Sequence, residues 1–138
     1  MIYDSIIEKA QENRKMFSVL IDPDKYDDKQ LLSLLAYINN APIDYILMGG
    51  SIISHHLDNK ISIIKENTAI PVILFPGSLL QISNKADGLL LLSLISGRNP
   101  ELLIGNHVIA APLLKKSPLE IIPTGYILIE NGRTTSVE

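Results

Sequence analysis

Apolar segments that end in a turn and lead into a helical stripe recur about every 25 residues along this chain. That is the pattern of βα units building a parallel sheet. Residues 16–21, 43–48, 70–75, 86–92 and 121–130 read as strands, the last interrupted by Pro123 and Gly125 and followed by the strong turn signal Asn131-Gly132. Ile2, Ile6, Ile7 and Ala10 lie at helical spacing in residues 2–15, with Glu8, Lys9, Gln11 and Glu12 between them, and predict an amphipathic first helix. A second helix is expected after an N-cap at Asp27 or Asp28, with Leu31, Leu32, Leu34, Leu35 and Ile38 as its stripe and an end near Asn39-Asn40. Residues 51–67 predict a third, with Ile52, Ile53, Leu57, Ile61 and Ile64 inward. Pro76-Gly77 leads into a short one, and Asn99-Pro100 starts another.

Four and a half such units fit into 138 residues, whereas a closed eight-stranded barrel takes about 200 or more. The α/β pattern therefore describes a small open sheet or the first half of a (β/α)8 barrel, in one domain covering residues 1–138. Aromatic residues are only 5% and mean hydropathy is +0.23, so aliphatic side chains dominate the interior, as in strands buried on both faces.

A net charge of −3 supplies no basic field for a polyanionic backbone, so no nucleic-acid partner is expected. The absence of cysteine excludes disulfides and thiolate metal sites and fits a reducing cytoplasm. Leu89 to Leu92 with Ser93-Leu94-Ile95 is the longest apolar run, far short of the roughly 20 residues that span a bilayer. Asp4, Glu8 and Lys9 interrupt the N-terminus where a signal peptide would be apolar. A cytoplasmic protein without a transmembrane segment is expected.

Leu20-Ile21-Asp22-Pro23-Asp24-Lys25 carries the clearest chemical signal, because strand one stops at two carboxylates and a lysine. Ligands of open sheets and barrels bind at that end of the strands. Gly49-Gly50-Ser51 and Phe75-Pro76-Gly77 end the next two strands, so the three turns form one polar rim. Carboxylates hold a hard cation, and a lysine and glycine-rich turns suit phosphate oxygens, which points to Mg²⁺ and a diphosphate. A competing reading of Asp22-Pro23-Asp24 is a turn whose side chains satisfy backbone N–H groups. The Ser51 hydroxyl could cap a helix or bind a cation or phosphate. Phe75 could line an apolar channel, and Arg98, in Ser96-Gly97-Arg98-Asn99-Pro100, could hold a phosphate or stand at the surface. His55 and His56 are roughly 100° apart on a helix, so both, with His107, read as structural or solvated. Dinucleotide, P-loop and nucleophile-elbow motifs are missing. A receiver module would need a carboxylate where Phe75 and Pro76 stand.

LIDPDK (20–25), the GGS after strand two, PVILFPGS (71–78), SLISGRNP (93–100) and IPTGYILIE (122–130) occur in this order. Together they closely resemble the geranylgeranylglyceryl phosphate synthase and heptaprenylglyceryl phosphate synthase family, from about residue 15 to the last residue. The resemblance implies a (β/α)8 barrel that transfers a polyprenyl group from its diphosphate to the C3 hydroxyl of sn-glycerol 1-phosphate with Mg²⁺, forming an ether lipid precursor. It makes Asp22 and Ser51 the metal-site residues. Lys25, Gly49, Gly50, Phe75, Gly77 and Arg98 are the candidates for substrate binding. Phe75, residues 94–103 and Tyr126 would shelter the isoprenoid tail. The family's glycerol phosphate-binding motifs would lie beyond Glu138, so the chain alone is expected to be inactive.

Family members are commonly oligomeric, and an unpaired sheet edge also predicts association. The alternative from another class is a non-enzymatic half-barrel or flavodoxin-like module that binds a phosphorylated ligand. A sugar-phosphate isomerase or aldolase would need a base or Schiff-base lysine at a strand end. Lys25 is the only nearby lysine, and it lies past the turn.

Overall fold

Alternation along the strands gives the sheet two apolar faces, and what covers each face places the functional end of the molecule. The computed structural model describes residues 1–50, 57–78 and 81–129. Five strands, β1 (Ser18–Ile21), β2 (Tyr45–Met48), β3 (Val72–Leu74), β4 (Gly88–Leu94) and β5 (Glu120–Tyr126), form one parallel sheet in sequential order. Helices α1 (Ile2–Gln11), α2 (Asp28–Ile38), α3 (Leu57–Asn67) and α4 (Asn106–Leu114) alternate with them. Sequential order is that of a barrel wall. A flavodoxin-like sheet reverses its order at a switch point, so that part of the alternative expectation is corrected.

On one face Ile21, Ile46, Met48, Val72, Leu74 and Leu89 pack under Leu31 and Leu35 of α2, Ile61 and Ile64 of α3, and Ala110 and Leu114 of α4. On the other, Tyr45, Ile73 and Ile122 meet Ile2 and Ile6 of α1. Helix α1 sits where the strands begin. Its first two backbone N–H groups, from Ile2 and Tyr3, donate to the Glu120 carboxylate at 2.5 and 2.8 Å, satisfying orphan donors of the helix terminus. Lys9 also reaches from α1 to Asp44 at 2.8 Å, and Asp44 accepts the N–H of Phe17. The Lys9–Asp44 hydrogen bond is the main reason the Lys9 ammonium is raised, and the Asp44 carboxyl lowered, from their ordinary values. The opposite end of the strands carries the rim.

Helix α2 starts as expected, with Asp27 as N-cap in a capping box with Gln30, and buries Leu31, Leu35 and Ile38. Leu32, expected in that stripe, is exposed. The N-terminal part of the expected third helix, including Ser51, His55 and His56, lies outside the described residues, as does Asn131-Gly132. Between β3 and β4 the described residues hold turns in place of the expected short helix. Side chains there compete for the backbone: Ser83 Oγ accepts from Lys85 N–H, and Asp87 Oδ2 accepts from Val72 N–H. Ahead of α4, Asn99 Oδ1 caps Glu101 N–H, and residues Glu101–Gly105 form a wider π turn. Pro123 does fall inside β5, whose outer edge has no partner strand among the described residues, where a missing N–H is tolerated.

Candidate functional site

Strand register brings the three turns together. Ile21, Met48 and Leu74 are aligned across β1, β2 and β3. The ladder runs one step further, with Gly49 N–H donating to Ile21 O at 3.1 Å and Phe75 N–H donating to Met48 O at 2.8 Å. Asp22, Gly49 and Phe75 therefore stand side by side just beyond the strand ends.

Asp22 is extended, and its Oδ1 accepts the N–H of Asp24 at 3.1 Å, capping a 3-10 turn over Pro23–Lys25. The turn role weighed from the sequence is therefore real. It does not use up the group: Oδ2 faces the exposed Lys25 ammonium, at 3.4 Å. The carboxylate lies against Gly50, where an added Cβ would fall 3.0 Å from Cγ and Oδ1 and 3.1 Å from Oδ2. Gly49 is tighter still, since its Cβ would fall 1.9 Å from the Phe75 carbonyl oxygen. Both glycines are thus explained by close approach.

Above Leu74 and Leu89 the sheet divides. β3 pairs with β4 only at Ile73↔Gly88 and Leu74↔Leu89, while β4 stays with β5 as far as Leu94↔Tyr126. A cavity of about 420 Å³ occupies this division. Gly49, Gly50 and Gly77 line it on the side of the rim, and Leu89, Leu91, Leu102, Ala110 and Leu114 are among its apolar walls. Helix α4 supplies Ala110 and Leu114 to one side of this space, and the turn after β3 supplies Phe75, Pro76 and Gly77. Phe75 and Tyr126, both on its wall, meet in an edge-to-face contact with centroids 6.2 Å apart. His107, on its wall, fixes α4 to β4 through Nε2 and the Leu92 carbonyl at 2.7 Å, a structural use.

The candidates thus separate. Asp22, Lys25, Gly49, Gly50, Phe75 and Gly77 converge on one rim. Arg98 is exposed in the turn after β4 and is not part of the cavity wall. Ser51 follows Gly50 in the chain and lies outside the described residues. Residues 94–103 contribute Leu94 and Leu102 to the wall, while Ile95 is exposed.

Sequence reading missed Gln81. It is buried, accepts the N–H of Gly77 through Oε1 and donates through Nε2 to the carbonyl of Gly50, both at 2.8 Å. Its bond to Gly50 spans 31 positions in the chain, so no local spacing announces it.

No group of three or more His, Cys, Asp or Glu among the described residues could hold a metal. A self-sufficient protein cage built from those residues is thereby set aside. A cation held by one carboxylate plus substrate oxygens and water is the habit of Mg²⁺, and the Asp22 carboxylate, seated where Gly50 lacks a Cβ, fits that donor set.

Known proteins share this sequence and this fold. The chain is 53% identical to a geranylgeranylglyceryl phosphate synthase of Chitinophaga pinensis over 99% of its own length and 54% of that protein. It is 48% identical to one of Flavobacterium johnsoniae, covering 99% of this chain and 56% of the relative. The chain thus spans about half the length of these relatives. The crystal structure of (S)-3-O-geranylgeranylglyceryl phosphate synthase from Thermoplasma acidophilum, in complex with its substrate sn-glycerol-1-phosphate, superposes with a TM-score of 0.86 at 34% identity. It matches 93% of this chain and 52% of its own. The PcrB family pattern matches residues 8–137. The sequential parallel sheet, the rim at its strand ends and the match over nearly the whole chain lead to one conclusion: this chain belongs to the PcrB family.

Proposed function

We propose that this chain is the prenyl diphosphate-binding half of a prenyltransferase that moves a polyprenyl group onto the C3 hydroxyl of sn-glycerol 1-phosphate. The observation that carries the proposal is the continuity between the rim and the apolar cavity in the divided sheet. A polyprenyl diphosphate has the same two parts, an anionic head and an aliphatic tail, and would lie across both. Burial of the tail is worth roughly 0.8 kcal/mol per CH₂, so the cavity supplies affinity while the rim supplies orientation.

Asp22 and Ser51 would hold Mg²⁺, which when bound supplies neutralisation of the diphosphate as negative charge gathers on it. Lys25, whose side chain is exposed and paired with Asp22, can turn toward a phosphate oxygen. Gly49 and Gly50 let backbone come close to the head group. Gly77 contributes shape, because its N–H is already given to Gln81. In the transfer, the bond between prenyl C1 and the diphosphate oxygen breaks with its electron pair staying on the diphosphate, the C3 oxygen of glycerol phosphate bonds to C1, and the hydroxyl proton passes to the released diphosphate or to water. Phe75 and Tyr126 exclude water, which would otherwise take the prenyl group.

In phosphate-binding barrels the phosphate grip follows strands seven and eight, and the described residues form five strands. The 138-residue chain is therefore expected to bind the prenyl diphosphate without turning it over alone. Calorimetric titration with geranylgeranyl diphosphate tests this. Affinity should rise at least about tenfold, some 1.4 kcal/mol, between EDTA and excess Mg²⁺. It should also exceed that for inorganic pyrophosphate. Equal affinity with and without Mg²⁺, or no gain from the tail, would overturn the proposal.

A further inference from the structure

Gln81 is 3% exposed, and its amide joins two backbone groups that no β ladder reaches: the N–H of Gly77 and the carbonyl of Gly50. The β2–β3 ladder ends with the bond from Phe75 N–H to Met48 O. Beyond it, the Gln81 side chain ties the turn after β2 to the turn after β3. Gly50 is in turn the surface on which the Asp22 carboxylate rests, at the 3.0 Å separation of an absent Cβ. A displacement of Gly50 therefore changes where that carboxylate can stand.

We infer that Gln81 is a positioning residue: it sets the place of Gly50 beside Asp22 and the opening of the Phe75-Pro76-Gly77 turn, and through them the affinity of the rim for a diphosphate. The inference rests on the proposed reading of the rim. It does not make Gln81 a ligand, because the side chain is buried and its amide already bonds backbone at each end. A buried amide of this kind serves geometry with particular strictness, since an unmatched donor or acceptor at either end is disfavoured without water.

Two substitutions separate this role from simple packing. Gln81→Met keeps the length of the side chain and loses both hydrogen bonds. Gln81→Glu keeps an acceptor for Gly77. Protonated, it also restores a donor toward Gly50; ionised, it sets a carboxylate against the Gly50 carbonyl. The probe is magnesium pyrophosphate, titrated calorimetrically into the 138-residue chain across a pH series, each variant expressed as a ratio to wild type at the same pH. Gln81→Met should weaken binding about tenfold or more at every pH. Gln81→Glu should be equally weak at high pH and recover toward wild type as the glutamate takes up its proton. Ligand-free carbon-detected NMR should show the Asp22 carboxylate resonance moved in Gln81→Met, with resonances of α1 unmoved.

A Gln81→Met chain that melts earlier but binds like wild type would overturn the inference, as would a Gln81→Glu ratio that does not change with pH. If Gln81→Met fails to fold, the pH profile of Gln81→Glu decides. If wild type binds no magnesium pyrophosphate, the diphosphate reading of the rim fails instead. The coupling of Gln81 to Asp22 is then upheld by a shifted Asp22 carboxylate signal in Gln81→Met and overturned by an unshifted one.

Discussion

Replacing Asp22 by Asn is expected to weaken Mg²⁺-supported binding of a prenyl diphosphate roughly a hundredfold, about 2.7 kcal/mol, with little change in the melting temperature. The substitution is chosen because Asp22 has two roles. Its Oδ1 caps the turn by accepting the Asp24 N–H, and an asparagine oxygen can accept the same bond. What asparagine lacks is the charge that a cation requires. The lost ion pair with Lys25 has its lysine side chain 73% exposed, and such pairs contribute about 0–1 kcal/mol. A large loss of affinity in a normally folded variant therefore isolates the charge. Unchanged binding in the presence of Mg²⁺ would reduce Asp22 to a turn residue.

Gly49→Ala is expected to destabilise the fold by about 3 kcal/mol or more, at the upper end for overpacking, lowering the melting temperature by roughly 10 °C. The added methyl would fall 1.9 Å from the Phe75 carbonyl oxygen. Phe75 cannot easily retreat, because its N–H is held by Met48. Gly50→Ala is the informative contrast. Its methyl would meet the end of the Asp22 side chain at 3.0 Å, and that side chain can rotate. One alanine should therefore affect mainly the melting temperature, and its neighbour mainly the binding of Mg²⁺ and diphosphate. A Gly49→Ala chain that melts with wild type would show that the close approach does not constrain the turn.

How much of the fold and the rim was legible in the sequence depends on the range of the interaction. All five strands were readable because each is a short apolar run stopped by a turn, though the ladders begin or end a few residues away from the apolar limits. For β1, residues 16–21 shrink to Ser18–Ile21, since Phe17 is drawn into hydrogen bonds with Asp44. The Asp27 cap was readable because a capping box is local. The arrangement of Asp22, Gly49 and Phe75 came from equivalent positions after successive strands. The absence of a helix in residues 75–78 and 81–87 was not readable, because Pro76-Gly77 signals a turn but carries no information about the structure after it.

Long-range partners were hidden for a similar reason. Glu120 reads as an ordinary polar residue, yet its carboxylate holds the N-terminus of α1, more than a hundred positions earlier in the chain. Gln81 would pass for a surface glutamine on composition, and only the folded turns reveal why it is buried. Arg98 illustrates the opposite case. It too follows a strand, but it stands four residues past the end of β4, where Asp22, Gly49 and Phe75 each directly follow theirs, and the turn leaves it in solvent.

The seating of a prenyl diphosphate across rim and cavity is tested by diffraction from crystals of this chain grown with Mn²⁺ in place of Mg²⁺ and a non-reactive geranylgeranyl thiodiphosphate. The expected result is an anomalous peak within bonding distance of an Asp22 oxygen. The diphosphate should lie over Gly49 and Gly50, with the tail between β3 and β4 beneath Phe75 and Tyr126. A metal bound elsewhere, or a tail outside the divided sheet, would rule out this mode of binding.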